Sequence, residues 1–139
     1  MSQASHVLDT SFVIRLLTRD PLPLFKSATA FLNQWSEGTP PLIVPDLVLA
    51  ETYFALQHHY GFSKADALAT LLALSHHPTI AFSPHANSAL ALPQLASARP
   101  GFIDRLIHGT AETIGATLVT FEKSTRKLPN TLILAASET

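Results

Sequence analysis

The sequence predicts an α/β fold in three layers, α/β/α, around a central and mostly parallel sheet of about five strands. Three observations predict it. Short apolar runs recur between longer amphipathic stretches, the alternation that builds parallel strands joined by helices. Two of those runs lead into an acid at the start of a helix, Asp9 and Glu122. The 139 residues are 47% hydrophobic and 14% charged, enough apolar material for a single domain, residues 1–139, with its own core.

Residues 6–8 read as a short buried strand that reaches Asp9 as the apolar run ends. Thr10 and Ser11 are N-cap candidates for a helix carrying Phe12, Val13, Ile14, Leu16 and Leu17. Arg19, Asp20, Pro21 and Pro23 break the chain before a second helix over residues 24–35, which stops near Gly38. A strand at 42–44 follows Pro40 and Pro41, and Pro45-Asp46 opens a helix to about His59 with Asp46 as its N-cap. Its apolar stripe is read as Leu47, Ala50, Glu51, Phe54 and Ala55, which places a glutamate on the core-facing side. An unpaired buried carboxylate costs several kcal/mol, so Glu51 there needs a cation, a partner or a cleft.

Gly61 ends that helix, and Ser63 with Asp66 resembles a capping box for the next, which runs to about Ser75. Residues 79–82 form a third strand, and Ser83-Pro84 starts a helix interrupted at Pro93. From Gly101 to about Ile114 comes a helix with the stripe Ile103, Leu106, Ile107, Thr110, Ala111 and Ile114, and with Asp104 at its border. Gly115 caps it, residues 117–119 are a fourth strand leading through Thr120 to Glu122, and residues 132–134 are a fifth.

Composition narrows the function. The net charge of −1 makes no global case for nucleic acid, so any such case is local. The absence of cysteine removes disulfides and thiolate metal sites. No apolar run approaches the ~20 residues that span a bilayer, and the first residues lack the pattern of a signal peptide. A cytoplasmic protein with no membrane contact is the expectation. The high apolar fraction calls for surface covered by self-association or by a partner.

Four acids stand out by position: Asp9, Glu51, Asp104 and Glu122. Each also has a plain local explanation, as a turn acid, a stripe defect or a helix-start acid favoured by the dipole. Hard cations such as Mg²⁺ or Mn²⁺ prefer carboxylate oxygens and would offset the repulsion among four of them. Such an ion suits phosphodiester hydrolysis, by generating hydroxide and stabilising transition-state charge. If the four converge without metal, repulsion is expected to raise at least one folded-state pKa. The pairs His58-His59 and His76-His77 make no zinc site, because adjacent helical residues point about 100° apart. No strand is followed by an Asp-x-Asp motif or a glycine-rich loop, which disfavours a small-molecule phosphohydrolase.

The ordered set LDTSFVIRLL, PDLVLAETYFAL, GFIDRLI and GATLVTFEK resembles a PIN domain, and is most similar to the VapC-type toxins of bacterial toxin–antitoxin modules. The resemblance covers residues 7–134. It implies an Mg²⁺- or Mn²⁺-dependent endoribonuclease, often a homodimer, held inactive by a cognate antitoxin and cutting structured RNA such as transfer or ribosomal RNA. It places Asp9, Glu51, Asp104 and Glu122 on the family's metal-binding acids and Ser11 on a small polar residue that assists the site. Arg15, Arg105, Lys123, Arg126 and Lys127 form a candidate basic rim for RNA phosphates. The chain departs from the family at Glu122, where Asp is usual, and at Gly101, often a further acid. It departs again at His108, where a small residue is commoner and where the expectation is a packed or solvated ring. The Glu122 and Gly101 departures motivate the alternative of a catalytically impaired PIN-like module that binds RNA or protein.

Overall fold

The structure, a computed structural model, describes residues 5–35 and 40–138, and the chain divides into two units, Met1–Ser83 and Pro84–Thr139. In the first unit, β1 (His6–Val7), β2 (Leu42–Ile43) and β3 (Ile80–Ala81) lie side by side in that order. Both pairings are parallel, with His6 opposite Leu42 and Leu42 opposite Ile80. Parallel neighbours need long crossovers, and each here carries two helices. These are α1 (Thr10–Thr18) and α2 (Leu22–Gln34) after β1, then α3 (Asp46–His58) and α4 (Lys64–Ser75) after β2.

Several local expectations hold, and others shift for identifiable reasons. Ser63 caps α4 by accepting from the Asp66 N–H at 3.0 Å. Helix α2 starts at Leu22, earlier than expected, because Pro21 and Pro23 suit a helix start where their missing N–H groups would have no partner. The stop expected near Gly38 lies outside the described residues. Only Leu8 of residues 6–8 is buried, while Val7 is exposed. The neighbouring His6 ring instead packs edge-on against Trp35, at a centroid distance of 4.6 Å. Asp46 is not the N-cap of α3; Pro45 holds that place, and Asp46 in the first turn accepts the Ser83 hydroxyl at 2.8 Å.

The largest correction concerns α3. Its buried face is Val48, Leu49, Thr52, Tyr53 and Leu56, while Leu47 is 72% exposed, Phe54 46% exposed, and Glu51 is on the same outer side. Glu51 is therefore not a buried defect in a core stripe. The helix is apolar on nearly every side, so two stripes about one residue apart satisfy the same periodicity, and packing selects between them.

The second unit holds α5 (Pro84–Leu90), α6 (Phe102–Thr113), β4 (Leu118–Thr120) and β5 (Thr131–Ile133), with short 3₁₀ turns at Leu95–Ser97 and Lys123–Lys127. Strands β4 and β5 pair in parallel, Val119 opposite Leu132. Among the described residues the five strands expected are present and every pairing is parallel, three strands in one sheet and two in the other. Helix α6 buries Phe102, Leu106, His108 and Gly109, so the expected stripe shares only Leu106 with the core; Ile107 and Ile114 are exposed. Gly115, at φ +70°, ends α6 in the left-handed conformation that glycine adopts at low cost. The Gly115 N–H donates to Glu112 O and the Ala116 N–H to Ala111 O, which satisfies the last carbonyls of the helix.

Helices α5 and α6 approach closely because Gly109 has no side chain: a Cβ there would overlap the His85 imidazole down to its own Cβ. Gly109→Val is expected to destabilise the protein by about 1–3 kcal/mol through overpacking. Urea unfolding checks this, and an unchanged midpoint would contradict the close contact.

Candidate active site

Leu8 directly follows strand β1, and its N–H donates to Ile43 O at 2.8 Å, so the next residue is held at the carboxyl end of the sheet. That residue, Asp9, is itself the N-cap of α1, not Thr10 or Ser11. Its Oδ1 accepts the Phe12 N–H at 3.0 Å and the Ser11 hydroxyl at 2.7 Å. The Ser11 hydroxyl first, and the Phe12 N–H second, hold the Asp9 carboxyl below its ordinary value. Thr10, between them, donates its hydroxyl to Glu51 Oε1 at 2.7 Å, across 41 positions of sequence. Residues 9–11 thus bring together Asp9, Ser11 and Glu51 at the start of α1, on the exposed surface of the first unit.

In the second unit, Asp104 stands in the first turn of α6, where the helix N-terminus favours a carboxylate. Glu122 caps the turn that follows β4: its Oε1 accepts the Ser124 N–H at 3.1 Å and the Ser124 hydroxyl at 2.8 Å. Those two bonds, the N–H foremost, hold the Glu122 carboxyl below its ordinary value. No hydrogen bond among the described residues links Asp104 to Glu122. Asp9-Thr10-Ser11 and Glu122-Lys123-Ser124 therefore share one device, an acid whose carboxylate takes a hydroxyl two positions on. Ser124 is signalled in the sequence only by the acid-x-Ser repeat, and nothing local signals the contact between Thr10 and Glu51.

The shifts run against the repulsion expected from four converging acids. Both shifted carboxyls are lowered, because hydrogen bonds to the ionised form dominate. Such groups contribute stability in full above their ordinary values of 3.8 and 4.5, and that stability is lost as pH falls through the lowered folded-state values. Acid melting curves should therefore fall in that window, and less steeply for the Ser11→Ala/Ser124→Ala double variant. Identical acid limbs would show that the hydroxyls do not hold the charges.

The basic candidates are differently engaged. The Arg15 guanidinium reaches the Tyr60 hydroxyl at 3.5 Å, and its buried Nε has no partner among the described residues. Arg105 Nε donates to Pro100 O at 2.8 Å and Lys127 Nζ to Arg99 O at 3.2 Å, while Lys123 and Arg126 are exposed. His108 is packed: its Nε2 lies 2.7 Å from Pro129 O and its Nδ1 3.0 Å from Glu112 Oε1. The cleft between α5 and α6, lined by His85, Arg105, His108 and Glu112, contains none of the four acids.

Within either unit, no three described His, Asp or Glu side chains are grouped so as to hold a metal ion. The donor chemistry of the first unit nevertheless fits a hard cation. Asp9 and Glu51 each anchor one oxygen on a neighbouring hydroxyl, and Glu51 Oε2 accepts no hydrogen bond among the described residues.

A family model described as the PIN domain matches residues 6–130. Among solved structures, the chain is similar to VapC20 of Mycobacterium tuberculosis, a Sarcin-Ricin loop cleaving toxin, at 16% identity and a TM-score of 0.43, covering 90% of this chain and 95% of that one. It is also similar to VapBC2 of Rickettsia felis, bound to a DNA fragment from their promoter, at 17% identity and a TM-score of 0.38, covering 94% and 98%. No curated protein matches the chain.

Proposed function

The chain belongs to the PIN domain family, and from that premise we propose that it is the ribonuclease toxin of a type II toxin–antitoxin module, hydrolysing RNA phosphodiester bonds at a carboxylate-bound Mg²⁺ or Mn²⁺. The observation that carries the reading is the start of α1, where three successive residues assemble Asp9, Ser11 and Glu51 with the second carboxylate oxygen of Glu51 left open. In this reading both units form one PIN domain, as the match across residues 6–130 supports. Asp9, Glu51, Asp104 and Glu122 hold the cation, which when bound supplies a hydroxide and offsets transition-state charge. Ser11 keeps Asp9 ionised and oriented. Arg15, Arg105, Lys123, Arg126 and Lys127 supply cationic contacts to RNA phosphates, which position the substrate without reading its sequence.

The partners in this proposal are a structured RNA, a cognate antitoxin and a second copy of the chain, all in the cytoplasm and none in a membrane. No helix among the described residues is long and apolar enough to cross a membrane. Exposed apolar side chains on α3, Leu47 and Phe54, and on one face of the paired strands, Val119 and Leu132, support a protein partner. Sedimentation should find a homodimer or a complex with a co-encoded protein; a stable monomer that binds none would overturn this part.

The test of function is RNA cleavage by purified protein freed of antitoxin, with Mn²⁺ or Mg²⁺ and with EDTA. Cleavage that requires the metal supports the nuclease. RNA binding without cleavage supports the second reading, a catalytically impaired PIN-like binding module. Gly101 favours that reading, because as the N-cap of α6 it has no side chain where the family often has an acid.

A further inference from the structure

We propose that Thr10 is a positioning residue that aims the Glu51 carboxylate at the cation beside Asp9, an inference that rests on the nuclease reading above. The geometry singles it out. A carboxylate only accepts, so the 2.7 Å contact is donated by the Thr10 hydroxyl to Glu51 Oε1. Thr10 is the first residue of α1, between Asp9, which caps the helix, and Ser11, whose hydroxyl is already committed to Asp9. Its side chain is β-branched and stiff, and its backbone is fixed by the Asp9 cap. Glu51 is the opposite case, a long exposed side chain whose rotamer freedom must be lost when it ligates. Thr10 removes that freedom in advance and occupies one oxygen, leaving Oε2 without a hydrogen bond among the described residues. The carboxylates of Asp9 and Glu51 are thereby both referenced to a single helix turn, although they come from elements 41 positions apart along the bond that joins them.

A purely structural role would have Thr10 fastening α1 to α3. That fastening is supplied elsewhere: α1 packs against α3, and each helix buries apolar side chains, Val13 and Ile14 on α1 and Leu49 and Tyr53 on α3. An exposed hydrogen bond adds little to it. The oxygen it orients is where its loss is felt.

The experiment measures Mn²⁺ binding by calorimetry on the full chain without RNA, alongside melting of the metal-free protein. The variants are Thr10→Val, which keeps the shape and removes the hydroxyl, Thr10→Ser, which keeps the hydroxyl, and Glu51→Gln with and without Thr10→Val. Thr10→Val is expected to weaken Mn²⁺ binding about 10–100-fold, the usual cost of losing a group that orients a ligand, with metal-free melting unchanged. Thr10→Ser should bind like wild type, and Thr10→Val should add nothing in the Glu51→Gln background. Wild-type Mn²⁺ affinity in Thr10→Val, an equal loss in the Glu51→Gln background, or a large fall in metal-free melting would each overturn the positioning role. If wild type cleaves RNA with Mn²⁺ while Thr10→Val binds the ion normally, the inference fails and the nuclease reading stands. Wild type that neither binds Mn²⁺ nor cleaves RNA overturns both.

Discussion

Asp9→Asn is expected to lower metal-dependent RNA cleavage by about 10²–10³-fold while leaving the fold intact. The fold survives because asparagine caps helices as well as aspartate does, and its side-chain oxygen can still accept the Phe12 N–H. What the substitution removes is charge. A bound cation supplies several kcal/mol of transition-state stabilisation, and each 1.36 kcal/mol is tenfold in rate. Asp9 is also prepared for that proposed task, since the Ser11 hydroxyl and Phe12 N–H favour its ionised form. The comparison is of kcat/KM on one structured RNA at saturating Mn²⁺, with melting curves as the control for folding. Wild-type rates from a folded Asp9→Asn protein would remove Asp9 from the machinery. A variant that has lost both activity and its melting transition would show that the cap, not the charge, was the essential part.

The largest effect on stability is expected from Leu49→Ala, at about 2–5 kcal/mol, against a change within about 0.5 kcal/mol for Leu47→Ala. Both remove the same atoms from the same helix, two positions apart. Leu49 is fully buried and its truncation leaves a cavity; Leu47 is 72% exposed and its truncation leaves solvent. A cost of 2–5 kcal/mol is a large part of the 5–15 kcal/mol that holds an ordinary domain together, so Leu49→Ala should melt far below wild type. Equal costs at the two positions, measured by urea unfolding, would restore the stripe through Leu47 and Phe54 as the core face and return Glu51 to the interior. This pair therefore tests the orientation of the helix that carries a candidate ligand.

The sequence by itself determined whatever depends on neighbours along the chain. The alternation of strands with helices, the Ser63 cap, the left-handed Gly115 and the proline breaks around α2 are all local choices, and they occur close to where the residues place them. Asp9 at a strand end and Glu122 at the start of a turn were legible for the same reason. Tertiary structure decided the rest. Helices α3 and α6 carry apolar residues on more than one side, so periodicity admits stripes that differ by about 100° of rotation, and only packing against a neighbour selects one. That choice buried Leu49 and Leu106, left Leu47, Ile107 and Ile114 in solvent, and moved Glu51 from a supposed core to an exposed face. The hydroxyl on Glu51 has the same origin. Thr10 and Glu51 are 41 residues apart, and no propensity or spacing relates them. They meet because β1 and β2 pair in parallel, so that α1 and α3 begin at the same end of one sheet.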